Sequence, residues 1–322
     1  MNLIVHHLRF TLEASTLVHL GPQAGAQIRG ALWAALREFA CAAPSLAGDP
    51  AHSQVCPMCR LVALETANDP RGTTPPRPFA IRPPLTARAI DDRVFYPGDR
   101  FEVGVNLFGD VASLFPYVCQ AFDRMGQIGV GYGRGRFVLE TVQAVDPLTG
   151  ETMDLLHGRR LVSTPGLPVT ADSVARAAER LPVDGVTLRF LTPLHLTHGG
   201  KQVDRLTFPA LIARLLERCQ AIEQHYTPNP TPQPVWRERY LALTALAEQV
   251  RVVEGEMRWA TVRSSSRRTD SSNSIGGLVG HARFEGDLAP FREWLLWGQS
   301  LHVGKNAVKG NGWYAIGPDD AG

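Results

Sequence analysis

Glycine and lysine are concentrated in one short segment near the end of the chain. It runs Leu301-His302-Val303-Gly304-Lys305-Asn306-Ala307-Val308-Lys309-Gly310-Asn311-Gly312-Trp313-Tyr314. Glycine has no Cβ and so lets the main chain approach a ligand closely, and lysine adds positive charge to that bare backbone. This combination favours a phosphate chain over an apolar small molecule. Gly304, Lys305, Lys309, Gly310 and Gly312 are therefore candidate phosphate-binding residues.

A second glycine cluster lies in the first half of the chain. It comprises Gly126, Gly129, Gly131, Gly133 and Gly135, interleaved with Tyr132, Arg134 and Arg136. A dinucleotide fingerprint needs a strand before the glycines and a helix after them, whereas a helix-like run precedes this cluster and an alternating, strand-like run follows it. A P-loop needs Gly-Lys-Ser or Gly-Lys-Thr at the start of a helix, which Gly304-Lys305-Asn306 does not provide. Both motifs are excluded, and Arg134 and Arg136 become further candidate phosphate contacts.

Three of the five cysteines lie close together in the sequence. Cys56-Pro57-Met58-Cys59 has the spacing of a zinc knuckle, and Cys41 and His52 could complete a four-ligand structural site. The alternative is a loop with ordinary free thiols, because one Cys-x-x-Cys pair is present rather than two. An odd number of cysteines in a chain with no export signal predicts reduced thiols and a cytosolic protein.

The length and composition predict a loop-rich α+β protein. A chain of 322 residues is long enough for two domains, each with its own core. Its 24 prolines and 30 glycines imply many turns. The net charge is +2, so any basic surface must be local. No apolar run is long enough to span a bilayer, and we expect no membrane partner.

The two halves are predicted to be variants of one unit. We predict a strand over residues 8–17 and helices over 24–40 and 112–124, then a strand over 187–192 and helices over 208–225, 235–250 and 289–297. Each half ends in a basic, glycine-rich loop followed by a strand, an order typical of a ferredoxin-like fold. The predicted domains are 1–147, with a Cys-containing insertion at 41–84, and 183–318, joined by a linker at 148–182. The Pro-rich residues 69–84 are predicted to form a surface loop.

Several segments together resemble a known family. They are Gln27-Ile28-Arg29-Gly30-Ala31-Leu32, the glycine cluster at 126–137, Leu191-Thr192-Pro193-Leu194-His195-Leu196, the segment 263–268 with Ile275-Gly276-Gly277-Leu278-Val279-Gly280, and the C-terminal glycine segment. The chain resembles the CRISPR-associated endoribonucleases that process precursor CRISPR RNA, the sixth Cas family of the RAMP superfamily. The resemblance covers nearly the whole chain, and the C-terminal glycine segment is its most specific part.

The resemblance implies two tandem ferredoxin-like (RRM-like) domains and metal-independent cleavage of CRISPR repeat RNA. In that reaction the upstream ribose 2′-hydroxyl attacks the scissile phosphate and leaves a 2′,3′-cyclic phosphate and a 5′-hydroxyl. The protein aligns the attack, moves a proton and stabilises charge on the phosphate. The implied partners are the repeat RNA, the mature crRNA and subunits of a CRISPR effector complex.

The first helix departs from the family pattern, because it contains no histidine. Arg29, Trp33 and Arg37 share one face at four-residue steps, and Arg29 stands about where some members carry a catalytic histidine. Arginine does not deprotonate in proteins and is a poor general base. Either a histidine from elsewhere serves, with His302 before the glycine segment a candidate, or alignment and charge alone support cleavage. The candidate catalytic residues are Arg29, Arg37 and His302, and His19 is predicted to be an exposed turn residue.

Other features leave the function open between classes. Arg263, Arg267 and Arg268 flank three serines and could follow an RNA backbone, and Trp33, Tyr132 and Trp313 could stack on unpaired bases. The missing helix histidine favours a non-catalytic crRNA-binding RAMP subunit as the alternative to a nuclease. A third hypothesis is an RNA-binding module ordered by zinc at Cys41, His52, Cys56 and Cys59. None of these hypotheses requires a cofactor for catalysis.

Overall fold

The structure, a computed structural model, describes residues 1–46, 49–62, 75–158, 160–266, 271–274 and 276–317. The elements of the first half are β1 (Val5–Ala14), β2 (Val18–Leu20), α1 (Ala24–Phe39), α2 (Pro50–Val55), α3 (Pro57–Val62), β3 (Phe79–Arg82), β4 (Arg93–Phe95), β5 (Arg100–Phe108), α4 (Phe115–Ile128) and β6 (Phe137–Val145). Those that follow are β7 (Thr152–Asp154), β8 (Leu156–His157), β9 (Arg160–Leu161), α5 (Ala171–Ala178), β10 (Gly185–Leu194), β11 (Thr197–His198), β12 (Lys201–Gln202), α6 (Phe208–Tyr226), α7 (Gln233–Ala247), β13 (Arg251–Ala260), β14 (Arg263–Ser266), β15 (Ser271–Ser274), β16 (Gly277–Glu285), α8 (Arg292–Leu301) and β17 (Tyr314–Gly317).

The two main sheets have the same topology. The first has the order β3-β5-β1-β6, with β7 added at the edge, and the second has the order β13-β16-β10-β17. Every neighbouring pair is antiparallel. Each half is therefore a β-α-β-β-α-β unit whose first strand lies at the centre of its sheet, which is the ferredoxin-like arrangement. The predicted fold class, with two tandem ferredoxin-like units, is confirmed.

The amphipathic pattern of each element explains which face packs on the core. In β1 the apolar side chains of Leu8, Phe10 and Leu12 are buried beneath the helices, and the Phe10 ring stacks on Phe122 of α4 at 3.9 Å. In α1, Ile28, Leu32 and Ala35 are buried at helical spacing. The second sheet packs in the same way, with Phe208 of α6 against Phe284 of β16.

The two halves also share a polar contact across their interface. The opposite face of β1 points His7 at α8, where its Nε2 lies 3.0 Å from Ser300 Oγ. Asn106 of β5 donates a buried hydrogen bond to the Ser300 carbonyl at 2.7 Å. Because buried polar groups are costly when unpaired, these bonds fix the orientation of α8 against the first sheet.

The Pro-rich stretch and the linker contain more structure than the sequence indicated. Residues 79–82 form strand β3 at the edge of the first sheet, paired with β5, whereas residues 69–74 lie outside the described residues. The stretch 148–182 contains β7, the β8–β9 hairpin and α5, and the Thr170 side chain caps α5. The predicted domain boundaries themselves stay a prediction.

In the described ranges, no helix combines the length and the apolar character needed to cross a membrane.

Two glycines of α1 allow a matched test of the packing. A Cβ on Gly25 would overlap the carbonyl oxygen of Lys309, whereas Gly30 is exposed with no atom within 4 Å of such a Cβ. We predict that Gly25→Ala lowers the free energy of unfolding by about 1–3 kcal/mol because backbone must move. Gly30→Ala should raise it by roughly 0.5–1 kcal/mol because alanine favours the helix. Denaturant titration measures both, and a Gly25→Ala variant as stable as Gly30→Ala would contradict the close packing.

Candidate nucleic-acid interface

The C-terminal glycine loop (residues 302–313) is a closed turn between α8 and β17. The amide of Val303 bonds the Gly312 carbonyl at 3.1 Å and closes its base. Thr192 at the end of β10 donates its hydroxyl to the Gly310 carbonyl at 2.7 Å and accepts from the Trp313 amide at 2.9 Å. Gly304, Gly310 and Gly312 have φ between 69° and 90°, where a side chain would be strained. The glycines thus determine the shape of this loop.

This loop lies directly on the start of α1. The close approach of Gly25 to the Lys309 carbonyl joins it to the helix, and Gly310 packs against Ile81 and Pro83 beyond β3. A small cleft at this junction is lined by Gln23, Arg93, Thr192, Lys309 and Asn311, among others. The loop of the second half therefore forms one surface with the first helix of the first half.

Positive charge is concentrated along this surface. Burial and the nearby Arg29 guanidinium lower the pKa of Lys309, which shows that the two cations share one environment. Lys305 is exposed at the tip of the loop, and its amide bonds the His195 carbonyl at 2.8 Å. Trp33 lies one helical turn after Arg29 on α1 and is half-buried. The Arg37 guanidinium lies 5.3 Å from the centroid of the Trp33 ring. The structure thus brings Arg29, Lys309, Trp33 and Arg37 to one face.

The N-terminal glycine loop (residues 129–136) packs beside the same end of α1. Its Tyr132 amide bonds the His19 carbonyl of β2 at 2.8 Å, and the Tyr132 hydroxyl accepts from Gln23 Nε2 at 2.8 Å. Gln23 belongs to the junction with the C-terminal glycine loop. Arg134 and Arg136 are exposed on this loop. The two glycine loops therefore flank the residues that precede α1.

His19 lies in this cluster rather than in an unstructured turn. Its Nε2 is 2.7 Å from Asp92 Oδ2, and its ring contacts the Tyr132 ring edge-to-face at 5.0 Å. Sequence analysis placed it as an ordinary turn residue. The only local signal was its position between the first strand and the first helix, because Asp92 is 73 residues away in the sequence.

His302 is placed differently from the expectation that it points towards RNA. Its side chain is fully buried, and its ring stacks on Trp313 at 5.9 Å between centroids. Burial, with the Arg218 and Arg82 guanidiniums nearby, lowers its pKa well below the ordinary range. Because the His302 ring is enclosed in the interior, we do not include it in the proposed site.

The remaining predicted RNA contacts are described only in part. Arg263 begins strand β14, which pairs with β15 as a hairpin, and Arg267 and Arg268 lie outside the described residues. Trp313 is half-buried, and Arg82 lies 5.8 Å from its ring centroid. Tyr132 is exposed and is the more accessible of these two aromatic side chains.

The predicted metal ligands converge at the other end of α1. The ligand atoms of Cys41, His52, Cys56 and Cys59 all lie within 4.8 Å of one another, with Cys41 Sγ 3.5 Å from His52 Nε2. Burial, reinforced by the neighbouring thiols of Cys56 and Cys41, raises the pKa of Cys59 to about 12. Asp49 orders this region by capping α2 through the His52 amide.

Comparison with known families agrees with this architecture. Residues 188–314 match the model of the CRISPR-associated endoribonuclease Cas6, and residues 3–166 match an N-terminal domain model, AF_1859_N. The second half of the chain is thus similar to the Cas6 family of CRISPR-associated endoribonucleases. The family resemblance expected from the sequence is confirmed.

Solved structures share the fold at low sequence identity. The Cas6 (TTHB231) product complex has a TM-score of 0.57 at 17% identity, covering 97% of this chain and 99% of that one. Thermus thermophilus Cas6 (TTHB231) has a TM-score of 0.52 at 14% identity, covering 98% and 99%. A partial Cas6-RT-Cas1–Cas2 complex has a TM-score of 0.54 at 13% identity, covering 98% of this chain and 46% of that one. No curated protein sequence matches the chain.

The buried histidine predicts a pH dependence of stability. The unfolded chain takes up a proton at His302 below about pH 6.5 and the folded protein does not, so stability should fall by up to about 1.4 kcal/mol per pH unit below that pH. His7 is buried with a lowered pKa and should add to the slope. We predict that His302→Gln makes this fall shallower in denaturant titrations between pH 7 and 5.

The matched control is the exposed His225 on α6. His225→Gln should leave the slope unchanged, because the His225 side chain lies on the surface and folding does not bury it. An equal slope in His302→Gln and wild-type protein would show that His302 becomes protonated in the folded protein.

Proposed function

We propose that this protein is a metal-independent endoribonuclease that cleaves CRISPR repeat RNA to give mature crRNA. The observation that carries the proposal is the seating of the C-terminal glycine loop on α1, which places Lys309 beside Arg29. A phosphodiester running between the two glycine loops would meet glycine backbone on one side and these cations on the other. Similarity to the Cas6 family supports repeat RNA as the substrate.

The proposed chemistry is an intramolecular transesterification. The ribose 2′-hydroxyl upstream of the cut attacks the phosphorus, giving a 2′,3′-cyclic phosphate and a 5′-hydroxyl. Lys309 and Arg29 would stabilise the extra negative charge on the phosphate in the transition state, where a site shielded from water gives fixed charges more effect. Further along α1, Arg37 would contact a phosphate of the RNA and the ring of Trp33 would stack on a base.

A non-catalytic crRNA-binding subunit remains the second candidate. The half-buried Arg29 of α1 favours it, because an arginine cannot serve as a general base at neutral pH. Both candidates share the same RNA-binding surface and differ only in whether a product forms. Membership of a larger CRISPR effector complex would be compatible with either.

Cleavage of a defined substrate tests the proposal. The protein is incubated in excess EDTA with RNA of the repeat from its own CRISPR array, and the product ends are mapped. We predict one cut in the repeat with a 2′,3′-cyclic phosphate end. We predict no cut when the nucleotide before that position carries a 2′-deoxyribose, because the nucleophile is missing. Tight binding without product would select the non-catalytic candidate, and cleavage of the deoxy substrate would refute the mechanism.

Substitution of single lysines provides the matched control for the interface. The chain has three lysines, two of them in the C-terminal glycine loop. Lys309→Ala should weaken repeat binding and reduce the slope of log affinity against log salt by roughly 0.7, the value for one lost contact with a single strand. Lys201→Ala, in the exposed β11–β12 hairpin, should change neither quantity. Equal binding by the two variants would place the RNA elsewhere.

We propose further that Cys41, His52, Cys56 and Cys59 bind a structural zinc ion. A tetrahedral zinc with sulfur and nitrogen ligands separates them by about 3.8 Å or less, so the four atoms need to move little. Zinc would also release the proton that burial holds on the Cys59 thiol. Since α1 of 16 residues is about 24 Å long, the metal would lie far from the junction at the start of the helix. It would fix the insertion and take no part in cleavage.

Metal analysis of the purified protein tests the zinc site. We predict about one zinc per chain, lost in Cys59→Ser and kept in Cys119→Ser, a buried cysteine outside the cluster. Cys59→Ser should also unfold at lower denaturant, because one ligand of the cross-link between α1 and the insertion is removed. Equal zinc contents in the two variants would contradict the site.

A further inference from the structure

The structure assigns His19 as the proton-transfer residue of RNA cleavage, with Asp92 as its positioning residue. This inference rests on the proposed nuclease function and supplies the group that α1 lacks. Three observations carry it: the contact between the two side chains, their place at the junction of the glycine loops, and the exposure of the imidazole. Each is independent of any pKa.

The first observation is the hydrogen bond itself. His19 Nε2 and Asp92 Oδ2 are 2.7 Å apart, and the two side chains are 34% and 48% exposed. A carboxylate at Nε2 fixes the ring orientation and stabilises the imidazolium form. In the part of the chain that the structure describes, no protein group bonds Nδ1, so that nitrogen is left for a substrate.

Asp92 is held by a rigid neighbour. Arg93 is buried, and its guanidinium donates to the carbonyls of Pro84 at 2.6 Å, Asp91 at 2.6 Å and Ala89 at 3.2 Å. It thereby braces the backbone that leads into Asp92. Arg93 also lines the cleft that contains Lys309. This one residue therefore connects the pair His19 and Asp92 with the cations at the start of α1.

The second observation is the position of His19 between the two loops. Its carbonyl accepts from the Tyr132 amide, and Gly131 packs so closely on that carbonyl that a Cβ there would overlap it. Tyr132 in turn bonds Gln23 at the cleft. An RNA strand crossing from Arg134 to Lys309 would therefore pass the imidazole.

The contact between His19 and Asp92 is not needed to hold together the two strands β2 and β4. β2 and β4 pair through the backbone at Val18–Phe95, His19–Val94 and Leu20–Arg93. An exposed ion pair adds about 1 kcal/mol or less to stability. The bond between His19 and Asp92 therefore has its main effect on the orientation of the ring.

The proposed step balances with one histidine. Neutral His19 accepts the 2′-hydroxyl proton at Nδ1 as the 2′-oxygen bonds to phosphorus. The bond from phosphorus to the 5′-oxygen breaks, and the imidazolium returns the same proton to that leaving oxygen. Asp92 keeps its hydrogen bond to Nε2 throughout and orients the ring, and no metal ion or other reactant is consumed.

Single-turnover cleavage of the repeat RNA tests the assignment. His19→Ala and His19→Gln should cleave about 10²–10⁴-fold more slowly than wild type, the usual contribution of a positioned acid–base group, with unchanged Kd for the RNA. Added imidazole should restore part of the rate to His19→Ala, which a merely structural role would not allow. His19→Gln can still donate to Asp92, so it separates loss of folding from loss of proton transfer.

Asp92 is tested through its coupling to His19. Asp92→Asn should slow cleavage without changing Kd, and the double variant Asp92→Asn with His19→Ala should be no slower than His19→Ala alone, because the two residues act as a unit. If the two substitutions slowed cleavage independently, so that their fold-losses in rate multiplied in the double variant, the role of Asp92 would be overturned.

The controls separate failure of this inference from failure of the nuclease proposal. His225→Ala, an exposed histidine on α6, should cleave at the wild-type rate. If the wild-type protein binds the repeat and yields no product, the nuclease proposal fails. If it cleaves and His19→Ala cleaves as fast as His225→Ala, the assignment of His19 is overturned while the nuclease proposal stands.

Discussion

The backbone contact between Gly25 of α1 and Lys309 of the C-terminal glycine loop is the constraint on which the candidate site depends. It brings together two elements that are 284 positions apart (309 − 25). Backbones can approach this closely only where a Cβ is missing. The contact sets the position of Lys309 beside Arg29, and through Gln23 it sets the distance to the N-terminal glycine loop. A cationic junction therefore arises from the packing of two ferredoxin-like units, neither of which contains it alone.

Burial divides the polar side chains near this junction into two groups. His7 and His302 are in the core between the units, where burial lowers their pKa values and keeps them neutral. Burial likewise lowers the pKa of Arg82 to about 10, although the guanidinium stays charged at neutral pH. His19, Arg134 and Lys305 stay accessible. Depth below the surface, more than residue type, therefore decides which groups can meet a polyanion.

Local patterns in the sequence predicted the fold well. Apolar periodicity located α1, α6 and the central strands β1 and β10, and the glycine clusters marked both loops. Strand β3 was missed because it is four residues long, follows a Pro-rich stretch and forms only by pairing with β5. Its edge position tolerates the nearby prolines.

The site was predictable only in part, because its contacts are long-range. Residue types alone indicated the lysines and the Cys/His cluster, whose four members do converge. The burial of the His302 ring depends on packing against residues distant in the sequence, such as Arg82, which residue type does not reveal. Asp92 could not be paired with His19 from sequence, because 73 positions, including α1, the insertion and β3, separate the two residues.

The scarcity of lysine gives the C-terminal glycine loop a chemical identity of its own. Almost all cations of this protein are guanidiniums, so ε-amines occur at three positions, and two of them are in that loop. Any process directed at amines, from enzymatic acylation to formaldehyde cross-linking, would therefore act mainly on the loop. The remaining basic surface would keep its charge. The protein could therefore lose its RNA contacts at the C-terminal glycine loop while its arginines stayed bound to RNA elsewhere.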